Sequence, residues 1–101
     1  MKVYQGTELK LNIGIEPVGG LTMDKYEFTI EAYCFANKAL SFAKSEAIRV
    51  DANNYMVAVD TAKTGAGELK CKVTALIPDG DFKDGIRKEI AIVDTDITIV
   101  R

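Results

Sequence analysis

The chain has 101 residues, 48% of them hydrophobic, and carries 13 Lys and Arg against 15 Asp and Glu for a formal charge of −2. That length makes one domain, residues 1–101, with a small core. The near-balance of charge, without a basic patch or a run of like charges, argues against nucleic acid or a membrane surface as partner.

Met1-Lys2-Val3-Tyr4-Gln5-Gly6 leads straight into an alternating segment. It lacks the continuous apolar run that follows the charged start of a secretory signal, so, with Met1 as the native start, the expected location is the cytoplasm or a route out that needs no signal. No window approaches the ~20 apolar residues of a membrane span. Leu9, Leu11, Ile13 and Ile15 then alternate with polar neighbours, the period of a half-buried strand, until Pro17 ends the run and Gly19-Gly20 turns the chain. Tyr26, Phe28, Ile30, Ala32 and Cys34 form the next apolar face, opposite Glu27, Thr29 and Glu31. Asn37-Lys38 reads as a turn. Leu40 and Phe42 suggest a short strand, although Ala39–Ala47 also suits a helix.

Ile48 and Val50 alternate with Arg49 and Asp51, and Asn53-Asn54 is a turn pair because Asn tolerates positive φ. Tyr55, Val57 and Val59 make another strand. Asp60–Thr64 suits one helical turn, capped by Asp60 or Thr61. Gly65-Ala66-Gly67 releases the chain into Leu69, Cys71, Val73 and Ala75, with Lys70, Lys72 and Thr74 on the other face. Pro78–Gly85 is a loop by every local rule. Ile90 and Ile92, then Ile97 and Ile99, alternate again, with a bulge or kink expected at Asp94-Thr95.

Seven or eight short strands joined by turns, without a crossover helix, predict an all-β, antiparallel sandwich. The helical turn followed by Gly67-Glu68-Leu69-Lys70-Cys71 matches the way immunoglobulin-like domains enter strand F, with Leu69 in place of the corner tyrosine and no tryptophan in the chain. An immunoglobulin-like sandwich is therefore the predicted fold. Cys34 and Cys71 are expected to be reduced, buried thiols, since they lack metal-ligand spacing and cytoplasmic thiols are kept reduced.

Catalytic chemistry is poorly supplied. The chain has no histidine, which removes His-dependent triads, His ligands and His proton shuttles. Glu27 and Glu31 lie about 13 Å apart along a strand, too far for a glycosidase pair. Asp94 and Asp96 read as turn-forming and edge-protecting charge. Asp79, Asp81 and Asp84 with Gly85 miss the calcium-loop spacing and read as ordinary turn chemistry. No cofactor or metal is predicted. If the strands bearing Glu27-Thr29-Glu31 and Lys70-Lys72-Thr74 are neighbours, these residues form cross-strand ion pairs worth ~0–1 kcal/mol each; if not, they offer a docking face.

The candidate contact residues are Phe82, Asp81 and Asp84 in the long acidic loop, with Tyr33 and Phe35 in the outward phase of the second long strand. Tyr33 and Phe35 read equally as binding anchors or as side chains covered by Ala39–Ala47.

The opening Val3-Tyr4-Gln5-Gly6-Thr7-Glu8-Leu9-Lys10-Leu11, the aromatic-rich Tyr26–Tyr33, the Asp60-Thr61…Gly65–Leu69 corner and the Ile77–Glu89 loop and strand resemble small β-sandwich proteins of phage and prophage tail clusters in gut bacteria. They are also similar to the N-terminal domain of phage baseplate upper proteins. The resemblance implies an immunoglobulin-like, non-enzymatic module that assembles in the cytoplasm with copies of itself or with virion neighbours. It brings no site residues with it. The alternative from a different class is a carbohydrate-binding or adhesion module, using Tyr33, Phe35, Tyr55 and Phe82 as its aromatic platform.

Overall fold

Eight strands in two sheets are described by the computed structural model, which covers residues 1–17, 19–35 and 39–101. They are β1 (Lys2–Tyr4), β2 (Glu8–Gly14), β3 (Glu27–Tyr33), β4 (Leu40–Ala43), β5 (Ile48–Asp51), β6 (Asn54–Asp60), β7 (Gly67–Pro78) and β8 (Ile86–Val100). One sheet runs β1-β8-β7-β3-β4 and the other β2-β6-β5. This is the immunoglobulin arrangement, with β2, β6 and β5 as strands B, E and D facing β3, β7 and β8 as C, F and G. The expected turn at Asn37-Lys38 lies outside the described residues.

The alternating residues do what their period dictates. Leu11 and Ile13 of β2, Phe28, Ile30 and Ala32 of β3, and Tyr55, Val57 and Val59 of β6 point inward and are buried. Leu69, Cys71, Val73, Ala75 and Ile77 of β7 join them, with Ile97 and Ile99 from the end of β8. The Phe28 and Tyr55 rings meet edge to face at 4.9 Å, fixing the two sheets against each other. Full burial of such a side chain is worth about 1.5–3 kcal/mol.

Local chemistry sets the turns. The stretch Ala39–Ala47 divides between a strand, β4, and a 3-10 turn, Lys44–Glu46. Glu46 reaches back to accept the Ala43 N–H at 3.0 Å. The turn expected at Asn53-Asn54 falls one residue earlier, at Ala52-Asn53, with Asn54 already in β6, and it does not use positive φ: the Asp51 carboxylate accepts the Asn53 N–H at 2.9 Å and the Asn54 side-chain amide at 2.8 Å. The helical turn is α1, Thr61–Thr64, and Asp60 caps it by accepting the Ala62 N–H at 3.0 Å. Thr61 is fully buried; its hydroxyl donates to the Thr7 carbonyl and accepts from the Gly6 N–H, tying α1 to the β1–β2 turn.

Two features depart from a sandwich of short antiparallel strands. First, β1 pairs with the end of β8 in parallel, Lys2 against Thr98 through Tyr4 against Val100. Second, β7 and β8 are long, 12 and 15 residues. The irregularity expected at Asp94-Thr95 is a bulge one step further on. Between Glu68 and Lys70 the register jumps from Thr98 to Asp94, Thr95 Oγ1 donates to the Leu69 carbonyl at 2.7 Å, and Asp96 takes φ +60°. β8 continues through the bulge as one strand.

The long hairpin shapes the molecule. The principal extents are 47 × 27 × 21 Å and the radius of gyration is 14.4 Å, against ~13 Å for a compact chain of this size. The smaller sheet covers β3, β7 and the last residues of β8. It leaves the middle of β8 uncovered on the inner face too, where Ala91 is exposed and Val93 retains 38% of its surface.

Candidate interaction surface

The β7–β8 register decides which way β8 faces. Thr74 lies opposite Ile90, Lys72 opposite Ile92 and Pro78 opposite Ile86. Residues opposite each other share a face, so these isoleucines stand on the same side as the outward Lys72 and Thr74. Ile90 is 56% and Ile92 62% exposed, flanked by exposed Ile86 and Leu76. The expectation that Ile90 and Ile92 face the core, like Ile97 and Ile99, is thus corrected. The bulge separates the two pairs: beyond it the isoleucines are buried, before it they meet solvent.

The strand is also open along its edge. β7 hydrogen-bonds one side of β8, whereas β1 takes the other side only from Thr98 onward. From Ile86 to Thr95 the second row of backbone N–H and C=O groups has no strand beside it among the described residues. An open, apolar edge of this length is a template for pairing with another chain, and edges are usually blunted by proline, short length or charge. Here Arg87, Lys88 and Glu89 put charge at one end of the open stretch and Asp94 at the other, and Ile90–Val93 between them carries none.

The residues singled out in the sequence lie elsewhere. Phe82 is 48% exposed at the hairpin tip, beside exposed Asp81 and Asp84. Asp79 Oδ1 accepts the Asp81 N–H at 3.0 Å and its other oxygen lies 3.7 Å from Arg87 Nε. The Phe82 N–H donates to the Asp79 carbonyl and the Gly85 N–H to the Phe82 carbonyl, so Asp79 serves a self-bonded turn that carries Asp81 and Asp84 on its surface. Among the described residues no group of three or more Cys, Asp or Glu is placed to hold a metal.

Tyr33 is half-buried opposite Lys70, and Phe35 is 55% exposed. Phe35 is not covered by β4; its ring lies against Gly65 and Gly67 at the opposite end of β7 from Phe82. At ~3.3 Å per residue, the length of β7 separates the two phenylalanines by about 35 Å. Tyr55 is buried and its hydroxyl donates to Asp24. The four aromatics proposed as a sugar platform therefore do not share a surface.

The cysteines sit in one sheet. Cys71 lies opposite Ala32, two residues before Cys34, and both thiols are free. Burial pushes the Cys71 thiol up to about 11. Burial raises Cys34 as well, and its Sγ donates to the Gly65 carbonyl at 3.5 Å. The disulfide of antibody domains joins strands B and F; here the B position belongs to β2, which carries no cysteine. Glu31 does lie opposite Lys72 as the neighbouring-strand reading expected, but it is not among the ion pairs of the described residues.

A polar cluster that the sequence did not announce joins the two sheets. Asp24, in the 3-10 turn Met23–Lys25, receives Arg49 Nε at 3.0 Å and Arg49 Nη2 at 2.8 Å, along with the Tyr55 hydroxyl. Lys44 Nζ caps the carbonyls of Asp24 and Tyr26 at 3.0 and 2.9 Å. The Arg49 and Tyr55 hydrogen bonds hold the Asp24 carboxyl down to about 2. These bonds tie the Met23–Lys25 turn to β5, to β6 and to the turn after β4, which makes the cluster a clamp in this structure.

No helix of the described residues is long and apolar enough to cross a membrane. No protein-family model matches the chain, and neither does any curated protein or solved structure.

Proposed function

We propose that this chain is a non-enzymatic structural module that works by assembly, through protein–protein contacts on the open edge and outer face of β8. One observation carries the reading: Ile90 and Ile92 are 56% and 62% exposed on a strand whose edge is unpaired. Solvent-facing positions on an antiparallel sheet are ordinarily polar, and exposed apolar patches rimmed by polar residues mark interaction sites. The missing histidine and the dispersed acids support the non-enzymatic side.

The sequence resemblance supplies the setting, a phage or prophage tail or baseplate. There the chain would be made in the cytoplasm and built into the virion beside copies of itself or neighbouring proteins. The contact moves from the Phe82 loop to the strand that follows it. The loop keeps a place at the rim, since Phe82 is exposed at the end of the same hairpin.

The test compares the full chain with an Ile90→Lys/Ile92→Lys variant. Light scattering after size exclusion, over a wide concentration range, reads self-association. Affinity capture of proteins encoded beside it, identified by mass spectrometry, reads other partners. The expected result is at least one specific association that the variant loses. A strict monomer that captures no identified neighbour, or associations indifferent to both substitutions, would overturn the reading.

A further inference from the structure

We infer that the open edge of β8 pairs with the same edge of a second copy, antiparallel, about a two-fold axis through Ala91 and perpendicular to the sheet. The inference rests on the assembly reading and names its partner and register. Such pairing is isologous, each residue i meeting j as j meets i. Both outer faces stay on one side only when directly opposed residues have the same parity, so the axis must pass through a residue.

The sequence from Lys88 to Asp94 is self-complementary about Ala91. With Ala91 opposite itself, Ile90 meets Ile92 of the other copy, and Lys88 meets Asp94. All of these stand on the outer face, where the register with Lys70, Lys72, Thr74 and Leu76 puts them. Neither Lys88 nor Asp94 has an ion-pair partner among the described residues, and both are exposed. On the inner face Glu89 meets Val93. The isoleucines thus form an apolar centre, closed at each end by a Lys–Asp pair.

Neighbouring registers lose this match. An axis through Ile90 sets Lys88 against Ile92 and Ile86 against Asp94. One through Ile92 sets Ile90 against Asp94. One through Glu89 places that carboxylate opposite itself, and like charges directly opposed are destabilising. The available edge fits the favoured ladder as well, because Lys88–Asp94 lies wholly before the bulge and before β1 takes the edge at Thr98. The product is one continuous sheet, β7 and β8 of each copy at its centre, with both small sheets on the same side.

Charge exchange tests the register. Lys88→Asp and Asp94→Lys each place like charges opposite one another twice per dimer, and each should weaken dimerisation roughly tenfold or more. Mixed in equal amounts, the two variants restore both pairs in a heterodimer, so sedimentation equilibrium should recover association near that of the unaltered chain. The double variant should recover it alone. Circular dichroism checks that each variant folds. An Ala91→Cys variant should form a disulfide-linked dimer in air, whereas Asp81→Cys at the hairpin tip should not.

A dimer that ignores both charge changes, or a mixture that fails to recover, overturns the inference while leaving the assembly reading in place. A chain that is monomeric at all concentrations also overturns it. If that monomer still captures an identified neighbour through Ile90 and Ile92, the assembly reading survives with another partner; if it captures none, both fall.

Discussion

Asp24 is where single side chains matter most for the joint between the sheets. Its carboxylate takes the guanidinium of Arg49 and the hydroxyl of Tyr55, and its value falls from 3.8 to about 2. A carboxyl lowered in the folded state stabilises the fold fully above its unfolded value, and that contribution is lost as pH falls toward the folded value. Thermal unfolding should therefore show a midpoint that drops between about pH 5 and pH 2. In Asp24→Asn the midpoint should be lower at pH 7 and this acid dependence flatter. The cluster was not legible in the sequence, because Arg49 and Tyr55 stand 25 and 31 residues from Asp24 and only the folded sheets bring them together. Of the two thiols expected to be buried, Cys71 was legible, since inward phase on a strand meant burial and it is fully buried with its value pushed to about 11, whereas Cys34 lies just past the end of β3 and is only half-buried. A thiol-reactive reagent at pH 8 should leave Cys71 untouched until the protein unfolds, and modify half-buried Cys34 first.

Among the elements, the passage from α1 into β7 depends on glycine. Gly67 takes φ +135°, and a side chain there would bring its Cβ to 3.4 Å from the Cβ of Cys34. Gly67→Ala should cost about 1–3 kcal/mol, the scale for a residue held in a sparsely populated backbone region, read as a lower urea midpoint with unchanged slope. This corner was visible in the sequence because its signals are local: a capping Asp60, a short turn, then glycines before an alternating run. Alternation also located β2, β3, β6 and β7 and set their inward phases correctly. It failed at β8 for a physical reason. A period of two reports a strand with an apolar side, but not whether anything covers that side. The hairpin register held the missing signal. Once Pro78 is placed opposite Ile86 across the loop, Ile90 must share the face of Thr74, and Ile92 that of Lys72.

At the scale of the whole molecule, a three-stranded sheet faces a five-stranded one, and the surplus strand length is left without a lid. Ile90 and Ile92 consequently contribute little to the stability of a single copy. At concentrations where the chain is monomeric, Ile90→Lys/Ile92→Lys should shift unfolding by no more than about 0.5 kcal/mol per substitution, as for surface positions generally, while raising solubility; a large loss of stability there in chemical denaturation would mean that these side chains are buried within a single copy. The class of fold was readable from turn spacing and the Gly67–Cys71 corner. The proposed contact surface was only half readable: the sequence drew attention to the loop of this hairpin and not to its second strand, since exposed aromatics and acids signal a contact more plainly than isoleucines do.

The parallel pairing of β1 with the end of β8 has a mechanical consequence. Met1 lies beside Asp96, and Gln5 beside Val100, so the two ends of the sequence leave this pair in opposite directions. Tension applied through them slides the strands along each other, so that every bond between them is loaded at once and none can open ahead of the rest. A module strung between neighbours would resist stretching through this short latch, in shear, before any force reached the core behind it.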